Sequence, residues 1–144
     1  MAAMHLPMID HTVQLTREWV RELADRLDWP DEHRAFRLLR VTLQTVRDWL
    51  DVNEAAHLGA QLPILIRGLY YEGWHPAKTP AADHTMEAFL ARIDEAFSTD
   101  PIDDTGEAVG GVFRLLNHRI TPGEIRDVRL RLPKQLRALW PELH

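Results

Sequence analysis

The 144-residue sequence contains no cysteine. Disulfides, thiolate metal sites and thiol nucleophiles are therefore excluded. No uninterrupted apolar run reaches the roughly eighteen residues that suggest a bilayer span. The start, MAAMHLPMIDHTVQL, has neither a basic n-region nor a long apolar stretch. No membrane association and no signal peptide are expected, and the cytoplasm is the expected location. Lysine is scarce, two residues against fifteen arginines, a bias that reads as base composition of the genome. Positive charge is in deficit overall, with a net charge of −5. That weighs against nucleic acid as a partner, because such binding depends on Lys and Arg displacing counterions from phosphates.

Catalytic signatures are missing too. The eight histidines form neither H-x-x-x-H nor H-E-x-x-H. There is no G-x-S-x-G elbow, and Gly106, Gly110 and Gly111 lack the Lys-Ser/Thr that follows a phosphate loop. The reading leans away from an enzyme: no catalytic residue and no cofactor is expected.

What is present is helical periodicity. The apolar share of 45% and charged share of 27% are those of an ordinary globular domain. Val13, Thr16, Val20, Leu23 and Leu27 mark one stripe of a helix from about residue 11 to 27. Asp10 is placed to cap it, and Asp28-Trp29-Pro30 ends it. Phe36, Leu39, Leu43, Val46 and Leu50 define a second helix over residues 31–50, widened by Leu38, Val41 and Trp49, and so expected to be central. A third, 52–61, opens on Asp51 and Glu54 in capping-box spacing. Pro63 begins a fourth, 63–71, burying Leu62, Ile66, Leu69 and Tyr70.

A shift of 70 residues repeats this pattern without a gap. Met86, Phe89, Leu90, Ile93 and Phe97 fall on Thr16, Trp19, Val20, Leu23 and Leu27. Thr121 and Glu124 repeat the capping box, with Pro122 first in the helix, and Leu136, Leu139 and Trp140 fall on Ile66, Leu69 and Tyr70. Five of sixteen positions are identical between Glu54 and Leu69: Glu54/Glu124, Leu62/Leu132, Pro63/Pro133, Arg67/Arg137 and Leu69/Leu139. Unrelated segments would share about one. The expected architecture is one all-α domain over 1–144, a helical bundle of two tandem pseudo-repeats of about four helices each. Copy one covers about 9–74 and copy two about 79–144, packed about a pseudo-twofold axis with the linker 72–83 between them. In copy two the glycines 106, 110 and 111 predict a central helix, near 107–120, that starts late and is less rigid, since each interior Gly costs roughly 1 kcal/mol relative to Ala. Residues 98–105, with Asp100, Asp103 and Asp104 around Pro101, read as a polar loop.

The run EAAHLGAQLPILIRGLYYEGWHP from Glu54 carries a resemblance. Its E-A-x-x-L-x-A-Q-L-P element and the following R-G-x-Y-Y-E-G-W stretch closely resemble the bacterial family catalogued as domain of unknown function 2267. The likeness extends from about Ile9 to Pro141. It implies an all-helical fold and brings no activity, substrate or catalytic residues.

Three clusters are candidates for function, each beside a structural reading. Arg67, Tyr70, Tyr71, Glu72, Trp74 and His75 could line a ligand pocket or anchor a partner. The same aromatics could instead plug the junction between the copies. Glu54 and His57 form an E-x-x-H, the spacing of carboxylate di-iron proteins, and Glu124 and Asp127 stand at the matching positions. Metal is the minor alternative there, because capping accounts for both glutamates and no further matched interior carboxylates recur. Arg119, Arg126, Arg129, Arg131, Lys134 and Arg137 make the last third basic, while residues 83–107 hold eight acidic residues against Arg92 alone. Those biases could steer a partner, hold copies head to tail, or be solvated faces of adjacent helices. The favoured function is a non-catalytic interaction or self-association module; the alternative is a helical pocket for a small ligand or metal ion.

Overall fold

The computed structural model describes residues 6–83 and 85–142. The ends of the expected 1–144 domain, and the end of copy two at 144, lie outside the described residues. Among them the chain is all-α: α1 Pro7–Leu27, α2 Glu32–Trp49, α3 Val52–Ala60, α4 Ile64–Tyr71, α5 Met86–Glu95, α6 Thr105–Arg119 and α7 Pro122–Arg131. Short 3-10 segments at Pro76–Lys78 and Lys134–Leu139 complete it.

The local chemistry sets most boundaries. α1 begins earlier than its apolar stripe predicts, because Pro7 occupies the first turn, where its missing N–H costs nothing. Asp10 therefore sits inside the first turn and is not the cap. At the other end Asp28 takes the left-handed conformation (φ 57°). The Trp29 N–H then reaches back to the Ala24 carbonyl at 2.9 Å, closing the helix. Asp31 caps α2 by accepting from the His33 and Arg34 amides. Pro63, expected as the first residue of α4, instead stands just outside it as the N-cap. The segment corresponding to α4 in the second half, Lys134–Leu139, is a 3-10 helix of only six residues.

α2 and α6 pack against one another at the centre. α1 lies against α2, α4 and α6, α5 against α2 and α6, and α3 against α7. The shared core includes Trp19, Leu23, Leu38, Leu43 and Val46 from the first half, and Phe89, Ile93, Val112, Phe113 and Leu116 from the second. Phe113 is stacked on Trp140 with centroids 4.2 Å apart and planes inclined by 4°. The indole N–H donates to Asn117 Oδ1 at 2.7 Å, satisfying a polar atom that burial would otherwise penalise. Across the α1–α6 contact, Glu22 accepts from Arg26, Arg119 and His118. Burial pushes its carboxyl up, but the bonds from Arg26 and His118 and the charge of Arg119 outweigh that and hold it below the usual carboxylate range.

Two sets of carbonyls at helix ends are closed by arginines from the following element. Arg67 donates to the Gly59, Ala60 and Leu62 carbonyls, ending α3. Arg137 donates to the Arg129 and Leu130 carbonyls, ending α7. Each guanidinium thus supplies partners to helix-terminal carbonyls that have none within the helix.

One glycine of α6 has a steric reason. α6 starts at Thr105, capped by Asp104, three residues later than the start of α2 would project across the 70-residue offset. Gly111 lies buried where a Cβ would stand 2.5 Å from Leu27 Cδ2 and 3.2 Å from its Cγ. The missing side chain lets α1 approach. Gly68, on the open face of α4, has no neighbour within 4 Å of the same position. Gly68→Ala should therefore raise stability by roughly 0.5–1 kcal/mol through helix propensity. Gly111→Ala should lose that gain to overpacking that costs about 1–3 kcal/mol. Thermal unfolding of the two variants checks the difference: Tm rises in the first and is unchanged or lower in the second.

Candidate functional site

The Arg67–His75 run leaves α4 at Tyr71 and turns through Gly73, whose φ of 73° favours glycine. The structure divides these six residues into internal and surface groups. Arg67 is spent on the end of α3, as described. Tyr70 is fully buried, and its hydroxyl donates to the Ala55 carbonyl at 2.7 Å. Tyr71 is half-buried and packs edge-on against Tyr70 and at a tilt against Trp74, with centroids 5.0 and 5.3 Å away. Its ring also covers Gly59: a Cβ there would lie 2.7 Å from the ring carbon Cζ. Trp74 is half-buried, its indole N–H shielded and without a partner. Glu72 pairs with Arg40 at the surface, and His75 is exposed. The aromatics therefore form a ladder against α3 and α4, and only its outer end meets solvent.

Behind this ladder sits a buried cation that the sequence reading passed over. Arg47 on α2 is 3% exposed. It donates to the Tyr70 and Glu72 carbonyls at 2.9 and 2.7 Å, and to both carboxylate oxygens of Asp48. Asp48 in turn receives Arg92 of α5 at 2.5 Å, and its carbonyl accepts from Ala81 N–H at 2.7 Å. Arg47, Asp48, Gly73, His75, Lys78 and Arg92 border a cavity of about 240 Å³. Its wall is cationic, yet Arg47 spends its guanidinium on the Asp48 carboxylate and two backbone carbonyls, and Arg92 shares that carboxylate. An Arg in the middle of an amphipathic stripe was the available signal, since arginines are rarely buried unpaired.

Glu54, His57, Glu124 and Asp127 come from α3 and α7, which pack together. Asp51 accepts from the Glu54 amide at 2.9 Å and Thr121 from the Glu124 amide at 3.4 Å, as the capping-box spacing predicts. The reciprocal half of the box is not made: Glu54 Oε1 and Glu124 Oε1 are buried without partners. The Glu54 carboxyl is pushed up to about 7, by burial first and then by the neighbouring Glu124 carboxyl. His57 Nδ1 stands 3.8 Å from Glu54 Oε2, on an exposed ring. Among the described residues no group of three or more His, Asp or Glu is arranged to hold a metal ion.

The basic residues of the last third are dispersed over separate tasks. Arg119 pairs with Glu22 and Arg131 with Asp51, Arg129 donates to the Trp140 carbonyl, and Arg137 closes α7. In the acidic stretch, Asp100 takes Arg37 at 2.8 Å and Arg34 at 3.6 Å. Much of the apparent charge bias is thus answered inside the fold.

One larger feature was not singled out by sequence. An apolar groove of about 290 Å³ runs between α1 and α2 and reaches α4, lined by Val13, Thr16, Val20, Phe36 and Leu65, with Arg17, Glu32 and His33 at its rim. The Leu65 amide donates to Thr12 Oγ1 at 3.0 Å, fixing the start of α4 to α1. At the starts of α1 and α4, Leu6, Met8, Ile9, Ile64 and Leu65 are all exposed.

The profile of a family described as "Uncharacterized conserved protein (DUF2267)" matches residues 16–139. The chain belongs to the DUF2267 family. No curated protein matches it. Family membership carries with it no assigned chemistry, so the site of this DUF2267 protein is argued from its own geometry. No helix among the described residues is long and apolar enough to cross a membrane.

Arg47→Met should be severely destabilising in this DUF2267 chain. It strands the Tyr70 and Glu72 carbonyls and leaves Asp48 with Arg92 alone. Breaking a buried pair by removing one partner costs about 3–5 kcal/mol. Chemical denaturation should show the midpoint falling, and a loss below about 1 kcal/mol would show that the network contributes little.

Proposed function

We propose that the chain is a non-catalytic cytoplasmic module that binds a protein partner or a second copy of itself. The contact face is the apolar end formed by α1 and α4. A single observation carries this reading: Leu6, Met8, Ile9, Ile64 and Leu65, most of the large exposed hydrophobics among the described residues, lie at the starts of α1 and α4, which the Leu65–Thr12 hydrogen bond joins, and Leu65 also lines the apolar groove. Scattered exposed leucines are ordinary, whereas a contiguous apolar patch rimmed by polar residues marks an interaction surface. The rim of Arg17, Glu32 and His33 supplies that polar border.

In this reading the chain is one domain built from two copies offset by 70 residues. The arginines support it: Arg67 bonds the Gly59 carbonyl and Arg137 the Arg129 carbonyl, each pair 70 residues apart. The paired caps at Asp51 and Thr121 support it as well. The Tyr70–His75 run is then the plug between copies, with Trp74 and His75 at its outer edge. The patch belongs to copy one alone, because α5 begins at Met86 and lacks the first turns that α1 adds before Thr16.

The double variant Ile64→Asp/Leu65→Asp tests the face. Both side chains are exposed, so Tm should change by no more than a few degrees. Concentration-dependent association in sedimentation velocity, or cross-linking to a partner in host cells, should be lost. Association undiminished in the variant would place the contact elsewhere. A wild-type chain that associates with neither itself nor another protein would overturn the reading.

A further inference from the structure

The α3–α7 seam holds two carboxyl groups, each with one oxygen buried and without a hydrogen bond. Glu54 and Glu124 each occupy the third position of a short helix, and the caps Asp51 and Thr121 fix the first turns that carry them. Glu54 is 4% exposed. The Oε1 atoms of both residues are shielded from water and have no partner. An ionised carboxylate only accepts hydrogen bonds. Two ionised carboxylates on packed helices, each with an oxygen shielded from water, therefore leave those oxygens without a donor, and their charges repel across a medium of low dielectric. A proton placed between them supplies the missing donor and removes one charge.

We propose that Glu54 and Glu124 share one proton at the seam, and that its release loosens α3 from α7, making this contact a joint operated by pH.

The surroundings decide the direction. From α7 the seam receives Glu124 and Asp127, both acidic, and both raise the Glu54 carboxyl. From α3 itself comes His57, 69% exposed and 3.8 Å from Glu54 Oε2, the one neighbour that lowers it. From α4 comes Tyr70, whose hydroxyl is committed to the Ala55 carbonyl and whose own pKa is raised, chiefly by burial. Asp51 at the head of α3 is paired with Arg131 of α7 at 3.3 Å, so that cation is directed to the rim of the same seam. The proton belongs to the pair and not to either residue.

Glu54 is pushed from 4.5 up to about 7 in the fold. Between those values the folded chain binds more protons than the unfolded one, so stability falls as pH rises. The seam's contribution is complete below about 4.5 and is lost as pH passes through about 7. The release therefore falls in the range where cellular pH varies. It exposes a separate surface from the α1–α4 face, and either proposal can fail without the other.

Hydrogen exchange of the α3 and α7 amides, followed from pH 6 to 8.5 and corrected for intrinsic exchange, reads the joint directly. In the wild-type chain protection should fall by roughly tenfold or more, the effect of one pKa unit of linkage. In Glu54→Gln, whose amide supplies a donor to Glu124 at every pH, protection should stay flat across that range. Glu124→Gln should behave the same way and guards against a folding defect peculiar to one variant. Carboxyl carbon NMR should place one Glu titration of the wild-type pair above pH 6. Both carboxyls titrating below pH 5.5 would overturn the proposal, as would equal pH dependence in wild type and both variants. Loss of protection at pH 6 on adding EDTA would overturn it too, because a cation would then be holding the pair.

Discussion

The junction of this molecule depends on a guanidinium placed where water cannot reach it. Arg47 is held by the Asp48 carboxylate and by carbonyls from the end of α4 and the start of the linker. Taking such a charge out of water costs several kcal/mol, and only near-complete hydrogen bonding offsets it. That requirement orders the surroundings. The chain after Tyr71 must present its carbonyls inward, which turns it at Gly73 and stands Trp74 against Tyr71. The Asp48 carboxylate, shared with Arg47, also draws in Arg92 from α5. One buried charge thereby joins α2, α4, the linker and α5. The aromatic ladder follows from this arrangement.

The fold was largely legible, because apolar stripes at helical spacing are a direct consequence of one-sided burial. Leu23, Leu39, Leu43 and Val46 are buried as their spacing predicts, and so are Phe89, Ile93 and Leu116. The misses occur where local chemistry competes with the stripe. Pro7 starts α1 ahead of Asp10, and Pro63 stands as a cap rather than the first residue of α4. The shorter final helix was hidden for a similar reason. Leu136, Leu139 and Trp140 keep the spacing of a helical face, but Leu136 also follows a 3-10 bond to Pro133. Spacing alone does not separate one tight turn from the other.

The candidate sites were less legible, since residue type does not reveal where a side chain spends its bonds. Arg67 read as a possible ligand contact and is a helix closure. Glu54 and Glu124 read as reciprocal caps, yet each donates only its amide to the cap and leaves a carboxyl oxygen buried without a hydrogen bond. The glycines of α6 looked like loss of helix quality, while Gly111 is what a close crossing with Leu27 demands. The apolar end at Met8, Ile64 and Leu65 was invisible because it is assembled from two separated segments. Its exposed positions fall just outside the stripes that the core explains.

The arginine closures of α3 and α7 also say something about how the chain must come together. A helix that ends on its own glycine can be complete as soon as it is made. Here the Ala60 carbonyl at the end of α3 waits for the side chain of Arg67, and the Arg129 and Leu130 carbonyls of α7 wait for Arg137. Neither helix is finished until the segment after it has docked. The closing segments are thus latches more than tails, and each helix is expected to open together with its latch as one cooperative unit rather than fray from its own end.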